Sequence, residues 1–277
     1  AQDLVHRLGD FVSELDEIEV PYIEADDLCR YEPFPLTDLQ EAFIVGRCLS
    51  SGSDRGALLY VEVALKHDFD MIKLNDAWKL IVDRHDMLRV KIVDDYQQQV
   101  QPKVTVPRIK TVLDSRILNG QDSGQALKKL RSNMQDIVFD HTSWPFFDVR
   151  VSLHEGNKAH IHISIDELIV DGTSLNSILK ELGEIYTGQK EATPTPHFRD
   201  YAFAMKRFEE TSRYARSLEY WIETFKDMPL APALPDSSSP NAPIVRHEGI
   251  LDVSHWALLK KYAQGKDASP TSLLLAV

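Results

Sequence analysis

The stretch that most constrains this chain runs from Lys158 to Ser174. Ala159, Ile161, Ile163 and Ile165 alternate with His160, His162 and Ser164, which predicts a β-strand with one face in the core. The alternation stops at Asp166. Glu167, three apolar residues (Leu168, Ile169, Val170) and the pair Asp171-Gly172 follow. Thr173 and Ser174 then open a helix, because Leu175, Ile178, Leu179, Leu182 and Ile185 recur at helical spacing. A strand thus delivers two aspartates, five positions apart, into a loop that ends at a helix N-terminus. The apolar residues between them predict that the loop dives into the protein, where a carboxylate needs a partner or a proton. A purely local reading is also open: Asp171 or Thr173 caps the helix, Gly172 makes the turn and Asp166 ends the strand.

Around this stretch, strands and helices alternate irregularly, which predicts a layered α/β sandwich rather than a repeat. The apolar spacing over residues 2–16 predicts an amphipathic helix, and 17–35 read as an acidic, proline-containing linker. Thr37 and Gln40 make a capping box for a helix from about Asp38. Ala57 to Leu65 reads as a strand, and Asp70 caps a helix carrying Leu74, Ala77, Trp78, Ile81 and Val82. Strands at Leu88–Val93 and near Gln97–Val100 follow, then a helix over Gln121–Ile137 and a strand over Trp144–Leu153. Phe198 to Phe225 is helical with a break near Thr211-Ser212. Met228 to Pro243 reads as a linker, and the pattern predicts a strand near Arg246–Val253, a helix from Ser254 and a last helix opened by Ser269-Pro270.

Composition excludes several functions. A net charge of −12, from 43 acids and 31 bases, argues against nucleic acid or an anionic membrane as partner. Cys29 and Cys48 show no metal-ligand spacing, which fits a reducing cytoplasm, and no apolar run approaches the ~20 residues of a membrane span. His160 and His162 have HxH spacing without an evident third ligand, so they read as solvent- or tunnel-facing, and no metal is expected. Gly46, Gly52 and Gly56 make no phosphate loop. The chain starts at Ala1 and stops inside the apolar run Leu273–Val277, so it reads as a piece of something longer.

Four stretches in order resemble one family. Phe34 to Phe43, running on to Gly46-Arg47, is similar to the opening motif of the heterocyclization domains of nonribosomal peptide synthetases. Arg84 to Arg89 is similar to their second motif, Asp166 to Ser174 matches their DxxxxDxxS motif, and Ser269 to Leu275 is similar to the start of the next. Tyr220-Trp221 and Leu230 to Pro235 are typical of the wider condensation superfamily. Phe43 stands where a tyrosine is common, Asp86 where a proline is, and Glu167 where an apolar residue is expected.

The resemblance implies an α/β lobe like that of chloramphenicol acetyltransferase, the first of two, with the second only begun. Residues 1–33 would be a linker with an amphipathic helix, 34–192 the N-terminal lobe, and 193–277 an inter-lobe helix, a linker and the truncated start of the C-terminal lobe. It implies a tunnel between the lobes, with upstream and downstream carrier proteins, peptidyl or aryl, inserting substrates on phosphopantetheine arms. No cofactor is bound directly. Adjoining synthetase domains complete the partners, in natural-product (including siderophore) biosynthesis. The implied reaction joins a carrier-bound acyl thioester to carrier-bound cysteine, serine or threonine, then cyclodehydrates to a thiazoline or oxazoline. This piece alone is expected to be inactive.

Plain condensation domains carry HHxxxDG, and their two histidines fall here at Asp166 and Glu167. That difference favours heterocyclization. A plain condensation domain and a non-catalytic carrier-docking lobe are the alternatives. By resemblance, Asp171 pairs with Arg89 or, second, Arg84 to hold the loop. Asp166 organises the loop or moves a proton. Glu167 is a polar tunnel residue and a candidate base. Ser174 caps or contacts the loop backbone, His85 packs near the lobe core with Arg84, and His162, Gly172 and Thr173 line the tunnel.

Overall fold

The computed structural model describes residues 22–49, 57–65, 69–94, 97–118, 120–189, 196–229 and 249–275. The helix expected over 2–16, Gly52, Gly56 and most of the 228–243 linker lie outside them. The chain divides into two compact units, residues 1–231 and 232–277.

In the first unit, β1 (Phe34–Pro35), β4 (Gln97–Val100) and β3 (Val90–Asp94) form a small sheet in the order β1-β4-β3. A larger sheet has the order β2-β7-β6-β5, from β2 (Leu58–Leu65), β7 (Lys158–Asp166), β6 (Phe147–His154) and β5 (Lys110–Asp114). β7 is antiparallel to both neighbours, and β5 runs parallel to β6 at the edge. The sequence gives no clear signal for β1 or β5. β1 has only two residues, and β5 carries a register shift between Thr111 and Leu113.

The helices are α1 (Asp38–Leu49), α2 (Met71–Arg84), α3 (Gly120–Gln135), α4 (Gly172–Tyr186), α5 (Phe198–Glu209) and α6 (Ser212–Lys226). Their starts follow the capping residues. Thr37 N–H donates to Gln40 Oε1 at 3.0 Å and Gln40 N–H to Thr37 Oγ1 at 3.4 Å. Asp70 accepts from Ile72 and Lys73, and Thr211 caps α6 at the anticipated break. Leu88 and Arg89 lie in a 3₁₀ turn before β3 rather than in the strand itself.

Ile161, Ile163 and Ile165 enter the main core with Trp78, Ile81, Phe147 and Val151. The opposite face of β7 is also covered. Leu130 and Met134 of α3 pack there with Leu113 and Tyr60. His162 is therefore 0% exposed, which corrects its assignment to a tunnel. It is held by Tyr60 Oη at 2.8 Å from Nδ1 and Ser152 Oγ at 2.8 Å from Nε2, as a buried polar ring must be. Burial pushes its pKa down to about 4. Ser164 Oγ donates to the Met134 carbonyl at 2.7 Å. His160 is half-buried, its Nδ1 2.6 Å from Glu62 Oε1.

α5 belongs to the first unit, with Phe198 edge-on to Phe34 at 6.4 Å. The second unit holds α7 (Val253–Gly265) and α8 (Pro270–Leu275). Asp252 caps α7 through His255 N–H at 2.9 Å, and Ser269 Oγ accepts from Ser272 N–H at 2.9 Å. Of the strand expected near Arg246–Val253, residues 246–248 lie outside the described residues, 249–252 are irregular and Val253 begins α7. No helix among the described residues is long and apolar enough to cross a membrane.

Candidate functional site

β7 ends at Asp166, which is 2% exposed. Its carboxylate meets a charge there: Arg47 Nη2 donates to Asp166 Oδ1 at 2.6 Å. The same oxygen accepts from Leu168 N–H at 2.9 Å, turning the chain. Glu167 N–H donates to the Ala57 carbonyl at 2.8 Å, extending the β2 pairing by one step. Leu168, Ile169 and Val170 are buried, so the loop does dive inward. Its backbone is held there by Gln40, whose Nε2 donates to the Leu168 carbonyl at 2.8 Å and which exchanges hydrogen bonds with Gln98.

Asp171 is exposed and its carboxylate turns back onto α4, accepting from Ser174 N–H at 2.7 Å. Those hydrogen bonds hold its pKa below the usual carboxylate value. The ion pair expected between Asp171 and Arg89 or Arg84 is not formed. Arg89, 2% exposed, is used by Asp86 at 2.7 Å and by the carbonyls of Val82, Asp83 and Gln101. Arg84 pairs with Glu181 of α4. The physical reason is position. Asp171 sits at the N-cap, where free N–H groups compete for its oxygens, whereas Asp166 lies at a buried strand end with no helix to cap. The local capping reading holds for Asp171, and the structural ion pair belongs to Asp166.

A cavity of about 670 Å³ opens beside the loop, lined by residues of three motifs and α5. Leu36, Gln40 and Phe43 come from the opening motif, His85 and Met87 from the second, and Glu167, Ile169, Asp171 and Ser174 from the loop. Tyr201 and Met205 close the α5 side. Gly172 and Thr173 are exposed in the first turn of α4, and neither they nor His162 line this cavity. Asp86 is an anchor. It accepts from Arg30 Nη2 at 2.6 Å and Arg89 Nη2 at 2.7 Å, with His197 Nδ1 at 3.0 Å. His197 Nε2 lies 2.8 Å from Asp27, so the segment before the lobe is tied to the second motif and to α5. Among the described residues, no group of three or more His, Cys, Asp or Glu is placed to hold a metal.

Sequence reading missed Arg47 as a partner and treated Gln40 only as a cap. Both lie on one face of α1 with Phe43 between them, at spacings of three and four. Glu181 carried a signal as well: a carboxylate among Ile178 and Leu182 on the apolar face of a helix has to find a buried partner.

The Condensation domain family model matches residues 33–277. Bacitracin synthase 1 of Bacillus licheniformis is 28% identical over 91% of this chain, and pyochelin synthetase PchF of Pseudomonas aeruginosa 30% over 92%. The chain spans only 5% and 14% of those relatives. Among solved structures, the EpoB cyclization-docking bidomain from Sorangium cellulosum, of a nonribosomal peptide synthetase, superposes with a TM-score of 0.76 at 27% identity. That match covers 100% of this chain and 58% of the other. The mixed α/β fold of the first unit, its converging motifs and the match over nearly the whole chain agree: the chain belongs to the condensation domain family of nonribosomal peptide synthetases.

Proposed function

We propose that the chain is the first part of a heterocyclization domain. It takes part in joining a carrier-bound acyl or peptidyl thioester to carrier-bound cysteine, serine or threonine, and in cyclodehydration to a thiazoline or oxazoline. The observation that carries this reading is the loop itself. Asp166 fills the place of a condensation histidine and is locked in an ion pair with Arg47, so it serves as a fixed anchor for the loop. The likeness to a solved cyclization domain over the full chain supports the same reading.

The cavity residues then have roles. Asp166 and Asp171 hold the two ends of the loop, one through Arg47 and one through the helix cap. Glu167 and Ser174 face the substrate path. Tethering two reactants in one channel supplies much of the acceleration of amide formation by proximity. Dehydration needs an acid positioned on the leaving hydroxyl, which a second lobe would supply. Substrates arrive on phosphopantetheine arms of carrier proteins in the cytoplasm, and residues 1–277 alone make no product.

The test uses the intact synthetase with an acyl-loaded upstream carrier and a downstream carrier bearing cysteine, serine, threonine or alanine. Products lighter than the linear amide by one water with any of the first three, and only linear amide with alanine, support the reading. Linear amide with all four overturns it in favour of plain condensation.

A further inference from the structure

His85 has a second task that its place in the motif did not announce. It follows α2 directly, and its Nε2 lies 2.7 Å from Glu181 Oε2. Glu181 is 7% exposed and is also paired with Arg84. A buried carboxylate paired to arginine stays ionised and can only accept, so Nε2 carries the hydrogen and Nδ1 holds the lone pair. Among the described residues Nδ1 forms no hydrogen bond, and His85 lines the cavity.

The other titratable groups around the cavity are committed elsewhere. Asp171 is bound to the α4 N-terminus, and Asp86 to Arg30, Arg89 and His197. His197 uses both ring nitrogens, on Asp86 and Asp27. Lys206 sits between Asp38 and Glu209. Glu167, Tyr201 and His85 remain, and of the three only an imidazole ordinarily changes charge near neutrality. Burial, then the charge of Arg84, push the His85 pKa down, outweighing Asp86, with Arg89 adding to the decrease. The ring is therefore neutral, and a base, at pH 7.

We propose that His85, oriented by Glu181, is the proton acceptor of this site for a carrier-bound amine lying in the cavity. The amine nitrogen attacks the thioester carbonyl, and its proton moves to Nδ1. The C–N bond forms, the C–S bond breaks, and the departing pantetheine thiolate takes the proton back from the imidazolium. The proposal rests on the condensation step of the function proposed above and is independent of heterocyclization.

The intact synthetase is assayed in single turnover from pH 5.5 to 9, with linear amide and heterocycle read separately. His85→Gln is expected to lower amide formation about 100-fold at pH 7.5 and to remove the acid limb of the pH profile, with carrier affinity unchanged. Glu181→Gln, which keeps the base but replaces the carboxylate hydrogen-bonded to Nε2 with a neutral amide, is expected to move the acid limb to lower pH. A folded His85→Gln protein within threefold of wild type, or one that keeps the acid limb, overturns the proposal. If His85→Gln does not fold, Glu181→Gln decides, and an unmoved limb overturns it. If wild type makes only linear amide, the heterocyclization reading fails while both variants still test His85.

Discussion

Replacing Arg47 by methionine removes the only charge that faces Asp166 among the described residues. The two side chains are 9% and 3% exposed, so water cannot take the place of the guanidinium. Loss of one partner from a buried pair costs ~3–5 kcal/mol. Asp166 keeps the Leu168 N–H, which puts Arg47→Met at the lower end, about 3 kcal/mol. For a unit of this size that lowers Tm by roughly 6–12 °C. Urea unfolding of the 277-residue chain, followed by tryptophan fluorescence, measures it. The double variant Arg47→Met/Asp166→Leu removes both charges and is predicted to be more stable than Arg47→Met alone. A single variant within about 0.5 kcal/mol of wild type, or a double variant less stable than the single, would falsify the claim that this pair anchors the loop.

Three further outcomes follow from the same geometry. His162 titrates near 6.5 when unfolded but only at about 4 when folded, so its contribution is complete above pH 6.5 and is lost as pH falls toward 4. Stability should drop by about 2 kcal/mol between pH 7 and 5, a window above that of Glu62, which Arg131 holds near 2; equal pH sensitivity in His162→Gln would remove His162 as the cause. Asp171→Ala should cost about 1 kcal/mol as a lost helix cap and Asp171→Asn less, measured by thermal unfolding; a loss as large as that of Arg47→Met would restore a buried ionic role to Asp171. Glu167→Gln in the intact synthetase should keep most linear amide formation, and complete loss in a folded protein would make Glu167 the base in place of His85.

The sequence made the strand-loop-helix at 158–186 legible because two periodicities meet at a pair of aspartates, and both the strand and the helix form there. Caps at Thr37, Asp70 and Thr211 were equally readable, since each satisfies its helix locally. Partner choice was not readable. Asp166 and Arg47 are 119 positions apart, and nothing local says which aspartate turns inward. The alternation in β7 gave one buried face correctly, but it could not show that α3 covers the other. His162 therefore read as open when it is enclosed.

The most direct test of the central claim follows the carrier-bound product of the intact synthetase through one turnover with cysteine on the downstream carrier, quenching with a thiol-alkylating reagent. Heterocyclization predicts an early, alkylated linear amide that converts to a species lighter by one water and inert to the reagent. A linear amide that persists to the end of the reaction, with its thiol still fully alkylated, contradicts it.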